Sequence, residues 1–295
     1  MSFYTPLRYP GGKRRLLSFF EALIRVNDLQ GCSYVEPYAG GAGLALSLLF
    51  RGWVSRLYLN DINKGIYSFW FCVLNLTDDL CRKINDTPVS MEEWQRQKTI
   101  QQDVESSDCL ALGFSTFFLN RTNRSGIIKG GVIGGKGQLG DWKLDARYTK
   151  KDLIRRIQAI ASKKEHIHLS RMDAVNYLKS LSLSVQRVLF YLDPPYFEKG
   201  AELYDNFYHK EDHDSVANCI TGTPYYWVVS YDNKEEIRAF YEGYSAITYS
   251  LNYTAQDKKR GTEFMAFSHN LSLPAFFPES SGKYFSLMYD LKAIV

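Results

Sequence analysis

The tetrapeptide Asp193-Pro194-Pro195-Tyr196 is the part of the sequence best equipped for chemistry. It follows residues 188–192, an apolar and β-rich run that the prolines end, because proline cannot donate to a strand ladder. The pattern predicts a buried strand with a carboxylate at its C-terminal end, the edge where open α/β sheets bind ligands. A substrate amine could be held between Asp193 and a proline carbonyl, with Tyr196 as a flat face for a planar base. The same four residues could also form an ordinary Pro-Pro turn after a strand. The other motifs must therefore decide whether this tetrapeptide is a site of chemistry.

A glycine-rich turn lies earlier in the chain, between a predicted strand and a predicted helix, at residues 36–43. Glycines let such a turn tighten, so that backbone N–H groups can face a ligand at the helix N-terminus. A second predicted strand ends at Asp61, about 20 residues later, the spacing at which a carboxylate meets ribose hydroxyls. The turn has neither Gly-x-Gly-x-x-Gly nor a Gly-Lys-Ser/Thr, which disfavours a dinucleotide or a triphosphate. The two features predict a nucleoside-bearing cofactor.

Two further segments carry candidate ligand-binding groups. Pro10-Gly11-Gly12-Lys13 is a turn that lets the backbone approach a ligand closely, and it brings a cation next to the aromatic Tyr9. Taken alone, a plain N-terminal turn explains this segment equally well. Residues 166–173 predict another strand that ends in an acid, Asp173.

The α/β pattern is interrupted between residues 72 and 164 by a mostly helical stretch that is rich in basic residues. Its run from Asn120 to Gly126 gathers side chains that can bond base edges and phosphates. A glycine-rich loop follows, and the positive charge continues into an amphipathic helix after residue 149. A basic helix alone is usually a solvated face, but together with this polar run it favours a nucleic-acid surface.

Composition limits the class of protein. With 45% hydrophobic residues, the 295-residue chain can bury a real core as one large domain or two smaller ones. Its formal charge of +4 permits a nucleic-acid partner without requiring one. No run approaches the ~18 apolar residues of a membrane span, and the first residues lack a signal peptide's apolar core, so we expect a cytoplasmic protein.

The cysteines and histidines do not form a metal-binding pattern. The five cysteines are widely spaced and include no Cys-x-x-Cys, which predicts reduced, mostly buried thiols. His209 and His213 have helical spacing, but the segment is not His-Glu-x-x-His and no third ligand accompanies it. We therefore predict no metal.

Strands that alternate with helices and end in a closing pair of strands predict an α/β fold, a doubly wound sheet with an antiparallel edge. Three motifs and their order then resemble the Dam-type, alpha-class family of adenine-specific DNA methyltransferases. Residues 10–13 resemble the family's N-terminal cofactor motif, residues 36–43 its glycine loop and residues 193–196 its catalytic tetrapeptide. The resemblance implies a Rossmann-like methyltransferase sheet from residues 1–71 and 165–295, with a smaller, mostly helical target-recognition domain at 72–164.

The resemblance also implies the reaction, in which a methyl group passes from S-adenosyl-L-methionine to the exocyclic amine of an adenine flipped out of double-stranded DNA. It implies catalytic roles for Asp193, Pro194 and Tyr196. It implies cofactor binding by Tyr9, Lys13, Glu36, Tyr38, Gly40, Asp61, Asp173 and Asp193. The stretch that contains Asn120 and Arg121 resembles the entry to the family's recognition domain. From the chemistry of the insertion we expect DNA contacts from Asn120, Arg121, Asn123, Arg124, Ser125, Lys129, Lys136 and Lys143. Residues 122–125 differ from those of Dam itself, so Dam's target sequence is not implied.

Two alternatives remain open at this point. Related tetrapeptides of the Asn-Pro-Pro-Tyr type occur in enzymes that methylate planar amide groups. The methyl acceptor could therefore be RNA or a protein glutamine. A catalytically silent DNA-binding module is the non-enzyme alternative. The aspartate at 193 and the basic insertion favour an enzyme acting on DNA, and they leave open a cognate restriction endonuclease as a further partner.

Overall fold

The computed structural model describes residues 4–8, 13–181, 187–197, 208–252, 260–274 and 287–288, and in these residues it contains an eight-stranded sheet. The strands are β1 (Cys32–Glu36), β2 (Val54–Asn60), β3 (Ile167–Ser170), β4 (Val188–Leu192), β5 (Tyr226–Asp232), β6 (Ser245–Asn252), β7 (Arg260–Phe267) and β8 (Leu287–Met288). Their order across the sheet is β3-β2-β1-β4-β5-β7-β6-β8. Strands β1 to β5 run parallel, whereas β7 is antiparallel to both β5 and β6. The predicted doubly wound α/β sheet with an antiparallel edge is confirmed.

The order of the parallel strands reverses between β1 and β4. From β1 the chain proceeds outward through β2 to β3, and from β4 it proceeds the other way to β5. Loops that leave the carboxyl ends of β1 and β4 therefore diverge and leave a crevice, which is where open α/β sheets bind their ligands. Both the glycine loop and the Asp193 tetrapeptide begin at this crevice.

Helices cover both faces of the sheet. They are α1 (Leu17–Val26), α2 (Gly43–Phe50), α3 (Lys64–Asn75), α4 (Thr77–Asp86), α5 (Met91–Ile100), α6 (Cys109–Thr122), α7 (Lys150–Ala161), α8 (Ala174–Ser180), α9 (Lys210–Thr221) and α10 (Glu235–Phe240). Four of them begin at a side chain that accepts the backbone N–H three residues later, and these caps are Asn63, Ser90, Asp108 and Asp173. A short 3-10 turn at Lys13–Leu16 precedes α1.

Successive residues of the central strands enter two different hydrophobic clusters. In β1, Tyr34 joins the cluster that includes α1 and α3, and Val35 joins the cluster that includes α8, α9 and α10. Leu189 and Phe190 of β4 divide in the same way. Because alternate residues of a strand point to opposite faces, a strand covered on both faces must be apolar throughout. This explains the continuous apolar run before Asp193, all of whose residues are buried.

The helices between residues 72 and 164 share a core with the sheet. Phe69 of α3 stacks on Phe117 of α6 in the same cluster that contains Tyr34 of β1. At Gly113 of α6 an added Cβ would lie 2.7 Å from the carbonyl oxygen of Ser68, so glycine permits this close helix approach. The stretch is mostly helical, as predicted, and the boundary that we predicted at residue 72 falls inside α3.

Two expectations from composition concern the cysteines and membrane spans. Cys32, Cys72 and Cys81 are buried, and Cys109 and Cys219 are half-buried, which confirms the prediction of mostly buried cysteines. Their reduced state stays a prediction. In the ranges that the structure describes, no helix combines the length and the apolar character needed to span a bilayer.

Candidate active site

Asp193 follows β4 directly and is held on one side by a lysine and a serine. Lys13 Nζ lies 3.2 Å from its Oδ1, and the hydroxyl of Ser230, on the neighbouring strand β5, donates to the same oxygen at 3.0 Å. The Ser230 hydroxyl also lies 2.8 Å from that of Tyr191. Burial raises the pKa of Asp193, Lys13 opposes this rise, and Glu263 adds to it. Among the described residues nothing bonds to Oδ2, so this oxygen can accept a hydrogen from a ligand.

Lys13 is a buried cation between two carboxylates. Its Nζ donates to Glu263 Oε2 at 2.7 Å in addition to its contact with Asp193. Burial alone would lower the pKa of Lys13, but Asp193, Tyr249 and Glu263 together hold it well above its usual value. The ammonium group is therefore charged at neutral pH, and it balances the negative charge of the tetrapeptide.

Glu263 joins this cluster from the antiparallel strand β7. It is 1% exposed, and besides Lys13 it accepts from the hydroxyls of Tyr249, at 2.6 Å, and Tyr196, at 3.0 Å. From the sequence, only the ring of Tyr196 was assigned a role, and Glu263 was not predicted. One feature of the sequence could have drawn attention to Glu263, since this acid directly precedes the apolar residues 264–267 of a predicted strand.

The glycine loop is tied to the end of β2 through Asp61. Its Oδ2 accepts the Gly40 N–H at 2.8 Å, and its Oδ1 accepts the Asn63 N–H at 3.0 Å. Burial raises the pKa of Asp61 to about 6, although these two N–H groups oppose the rise. Trp70 of α3 holds the other side of the loop, because its indole N–H donates to the Gly40 carbonyl at 2.8 Å. The structure therefore brings the predicted pair Gly40 and Asp61 together.

Asn60, which the sequence analysis overlooked, joins the ends of three strands. Its amide nitrogen donates to the carbonyls of Pro37, after β1, and Met172, after β3, both at 3.0 Å. Its amide oxygen accepts the Met172 N–H at 2.9 Å. Asn60 is buried, so these bonds fix the edge of the sheet from which the candidate cofactor residues project.

Three more of the predicted cofactor residues, Glu36, Tyr38 and Asp173, lie at or just beyond the C-terminal ends of β1 and β3. Glu36 is buried at the end of β1, where it accepts the Tyr34 hydroxyl at 3.0 Å. Burial raises the pKa of Glu36 to about 8 against the effect of that hydroxyl, and Asp193 adds to the rise. The hydroxyl of Tyr38 lies 3.1 Å from that of Tyr208, and Asp173 caps α8. Tyr9 lies outside the described residues.

Two of the predicted DNA contacts are internal. Asn120 and Asn123 are buried, with 1% and 0% of their surfaces exposed. Asn120 exchanges hydrogen bonds with the backbone of Arg8, and Asn123 accepts the indole N–H of Trp94 at 2.7 Å. The prediction that these two side chains contact DNA is therefore wrong. Their amides instead satisfy buried backbone and indole groups, which are costly to leave unpaired.

Arg121 also has protein partners, because its guanidinium donates to the carbonyls of Arg147, at 2.6 Å, and Pro6, at 3.4 Å. Burial, assisted by Arg8 and other arginines, lowers its pKa to about 10, so it remains charged at pH 7. The other predicted contacts are on the surface, namely Arg124, Ser125, Lys129, Lys136 and Lys143.

The insertion also exposes two large apolar side chains that were not predicted from the sequence. Leu139 is 91% exposed and Trp142 is 66% exposed. The guanidinium of Arg147 lies 5.7 Å from the centroid of the Trp142 ring. The exposed cations and these two side chains give the region both charge and apolar area.

Residues 9–255 match the family model of the D12 class N6 adenine-specific DNA methyltransferases. The chain belongs to this family. The match spans the N-terminal motif, the glycine loop, the insertion and the tetrapeptide, and it confirms the resemblance seen in the sequence. As a member of the D12 class, the protein is a methyltransferase, and its family and fold imply the use of S-adenosylmethionine.

Solved structures that resemble this D12 protein do so only distantly. PH1948, a presumed RNA methyltransferase from Pyrococcus horikoshii, is 12% identical, with a TM-score of 0.42, over 89% of this chain and 85% of its own. YhhF, a presumed methyltransferase from Escherichia coli, is 10% identical, with a TM-score of 0.36, over 90% of each chain. Likenesses at this level carry no argument about the acceptor. No protein of curated function matches the sequence.

We expect Lys13→Met to destabilise the fold strongly, because it leaves the buried Glu263 and the largely buried Asp193 without their cation. Removing one member of such a buried charge cluster costs about 3–5 kcal/mol of unfolding free energy. Lys64→Met is the matched control, since Lys64 pairs with the exposed Glu105. Its loss should stay below about 1 kcal/mol. Urea unfolding measures both, and equal losses would contradict the buried role of Lys13.

Proposed function

We propose that this protein methylates the exocyclic N6 amine of adenine in double-stranded DNA, using S-adenosylmethionine. The observation that carries the proposal is the state of Asp193 at the crevice between β1 and β4. Lys13 and Ser230 both engage its Oδ1, so the orientation of the carboxylate is fixed, whereas Oδ2 accepts no bond from the described residues. A fixed carboxylate with an available oxygen suits a ligand that donates a hydrogen, as an amine does.

Asp193 and the Pro194 carbonyl have a defined task in such a reaction. The lone pair of an adenine amine is delocalised into the ring, which makes the amine a poor nucleophile. If the two oxygens accept the two amine hydrogens, they favour a tetrahedral nitrogen with a directed lone pair. This contribution is alignment and electrostatic stabilisation, and it requires no covalent intermediate on the protein.

The residues at the crevice fit S-adenosylmethionine. Each oxygen of Asp61 accepts one N–H from the protein and keeps a second lone pair, so the carboxylate can also accept ribose hydroxyls. The glycine loop beside it is held from behind by Trp70. When bound, the cofactor supplies a methyl group on a positively charged sulfur. The sulfur is a good leaving group, because it becomes a neutral thioether when the methyl group is transferred. We assign Asp61 and the loop around Gly40 to holding its nucleoside part.

Tyr196 is the candidate platform for the base. The amine of a stacked adenine cannot reach Asp193, so the base must leave the duplex, at a cost of a few kcal/mol. An aromatic ring next to the carboxylate can recover part of this cost by stacking. The Tyr196 ring has a fixed hydroxyl and Lys13 Nζ at 5.6 Å from its centroid, so it is oriented before the base arrives.

We assign DNA binding to the exposed part of the insertion. Arg124, Ser125, Lys129, Lys136 and Lys143 are on the surface. Exposed cations neutralise phosphates, and exposed apolar side chains such as Leu139 and Trp142 can contact bases or fill gaps in a distorted duplex. The internal Asn120 connects this region to Arg8, five residues before Lys13.

Asp193→Asn should abolish most methyl transfer while the protein still folds. The substitution keeps the size of the side chain but replaces one acceptor oxygen with a donor that would face the amine hydrogen. We expect a loss of at least about 100-fold in the single-turnover rate on duplex DNA. The exposed Asp214→Asn on α9 is the control and should keep the wild-type rate. A nearly normal rate for Asp193→Asn would remove this residue from the reaction.

Lys136→Ala should weaken DNA binding equally on all sequences. If Lys136 contacts one phosphate, the slope of log K against log salt should flatten by about 1. Lys210→Ala, an exposed lysine at the start of α9, should leave the slope unchanged. Fluorescence anisotropy with labelled duplexes at several salt concentrations measures both. Identical slopes for wild type and Lys136→Ala would place the phosphate contacts elsewhere.

A further inference from the structure

Glu263 is a buried acid on an apolar strand. It is 1% exposed, and Phe264, Met265, Ala266 and Phe267, which follow it in β7, are all buried. A buried carboxylate is costly unless it is paired and hydrogen-bonded. Glu263 meets both conditions, because it accepts from the ammonium of Lys13 and the hydroxyls of Tyr196 and Tyr249.

Two of these three donors belong to motifs of the reaction site. Lys13 comes from the N-terminal motif and Tyr196 ends the catalytic tetrapeptide, whereas Tyr249 is the cross-strand neighbour of Glu263 on β6. The two carboxylate oxygens of Glu263 have different partners. Oε1 accepts from Tyr196, and Oε2 accepts from Lys13 and Tyr249. One carboxylate therefore fixes the position of the aromatic ring and of the cation that pairs with Asp193.

Two residues of strand β5, the neighbour of β7, also hold the tetrapeptide in place by hydrogen bonds. Ser230 of β5 donates to Asp193 at 3.0 Å. Asp232, at the end of β5, accepts the N–H of Phe197, the residue after Tyr196, at 3.0 Å. Asp232 is directly opposite Glu263 in the pairing of β5 with β7. The tetrapeptide is thus anchored at its first residue, its last residue and the residue beyond.

We propose that Glu263 is a positioning residue for methyl transfer, which holds the Tyr196 ring in the orientation that receives the flipped base. This inference rests on the proposed function. Glu263 does not touch the reacting atoms, and it acts through the Tyr196 hydroxyl and, by way of Lys13, through Asp193. The hydroxyl of Tyr196 then contributes to the rate, which stacking alone would not require.

A double-mutant cycle tests the link between Glu263 and Tyr196. Single-turnover methylation of duplex DNA at saturating cofactor is measured for wild type, Tyr196→Phe, Glu263→Gln and the double variant. We expect Tyr196→Phe to be about 10-fold slower and Glu263→Gln about 10- to 100-fold slower than wild type. In Glu263→Gln, the single amide oxygen should stay with the donors Lys13 and Tyr249, which places the amide nitrogen where Oε1 accepts from Tyr196. Tyr196→Phe and Glu263→Gln then remove the same bond, so the double variant should be no more than about threefold slower than Glu263→Gln. Losses that multiply would overturn the proposal.

Tyr249→Phe is the matched control. It removes another donor to Glu263 but leaves the bonds to Tyr196 and Lys13 intact, so we expect less than about a threefold change in rate. A loss as large as that of Glu263→Gln would indicate general support of the fold and would overturn the positioning role. Thermal unfolding and the KM for cofactor are measured for each variant. Glu263→Gln should also lower the unfolding temperature, because it removes one charge of the buried cluster while Lys13 keeps Asp193, so the rates are compared at a temperature at which every variant is folded. The KM for cofactor should change far less than the rate of methyl transfer, and a KM effect alone would contradict the proposal.

The same experiment separates this inference from the proposed function. If wild type methylates DNA and Glu263→Gln does so at the wild-type rate, the positioning role is wrong and the proposed function survives. If wild type methylates RNA and not DNA, the proposed acceptor is wrong, and the cycle repeated on RNA still tests Glu263. A wild-type protein that transfers no methyl group to either nucleic acid would overturn both.

Discussion

The ion cluster of Lys13 with Asp193 and Glu263 is the interaction on which the geometry of the site depends. Its members come from the N-terminal turn, the centre of the parallel sheet and the antiparallel edge, and Lys13 and Glu263 are 250 positions apart in the chain. Lys13 and Glu263 are almost fully buried. Buried charges are tolerated only when they are paired and hydrogen-bonded, so these three segments must meet in one arrangement. That arrangement also fixes the orientation of Asp193 and, through Glu263, of Tyr196.

Much of the scaffold could be predicted because it follows from local patterns. The run before Asp193 is apolar throughout, which predicts a strand covered on both faces. The turn before α2 is rich in glycine, which predicts a tight loop between a strand and a helix. Alternating strands and helices predict a doubly wound sheet. In such a sheet, the glycine turn and the Asp193 tetrapeptide both lie at the crevice where the strand order reverses. Asp61 was selected for its spacing to the glycines, and the structure joins it to Gly40 by a hydrogen bond, while its role at the ribose stays a prediction.

The bonds that orient the site could not be predicted, because they join residues that are distant in sequence. Strand β7 inserts between β5 and β6, and this pairing brings Glu263 to Tyr196, 67 positions away. Asn60 likewise binds Met172, 112 positions away. In the insertion, composition predicted DNA contacts for two asparagines that are buried. An asparagine amide can hydrogen-bond to a base edge or to buried groups of the protein, and the sequence does not distinguish the two. Asn120 and Asn123 are buried, which shows that their amides bond to the protein.

The identity of the methylated nucleoside decides whether adenine in DNA is the acceptor. The wild-type protein would be incubated with isotopically labelled S-adenosylmethionine and, in separate reactions, with plasmid DNA and with total RNA. Each nucleic acid would then be digested to nucleosides for chromatography and mass spectrometry. We expect label in N6-methyladenine from the DNA and none above background with Asp193→Asn. Label confined to RNA, or to another DNA base, would contradict this expectation.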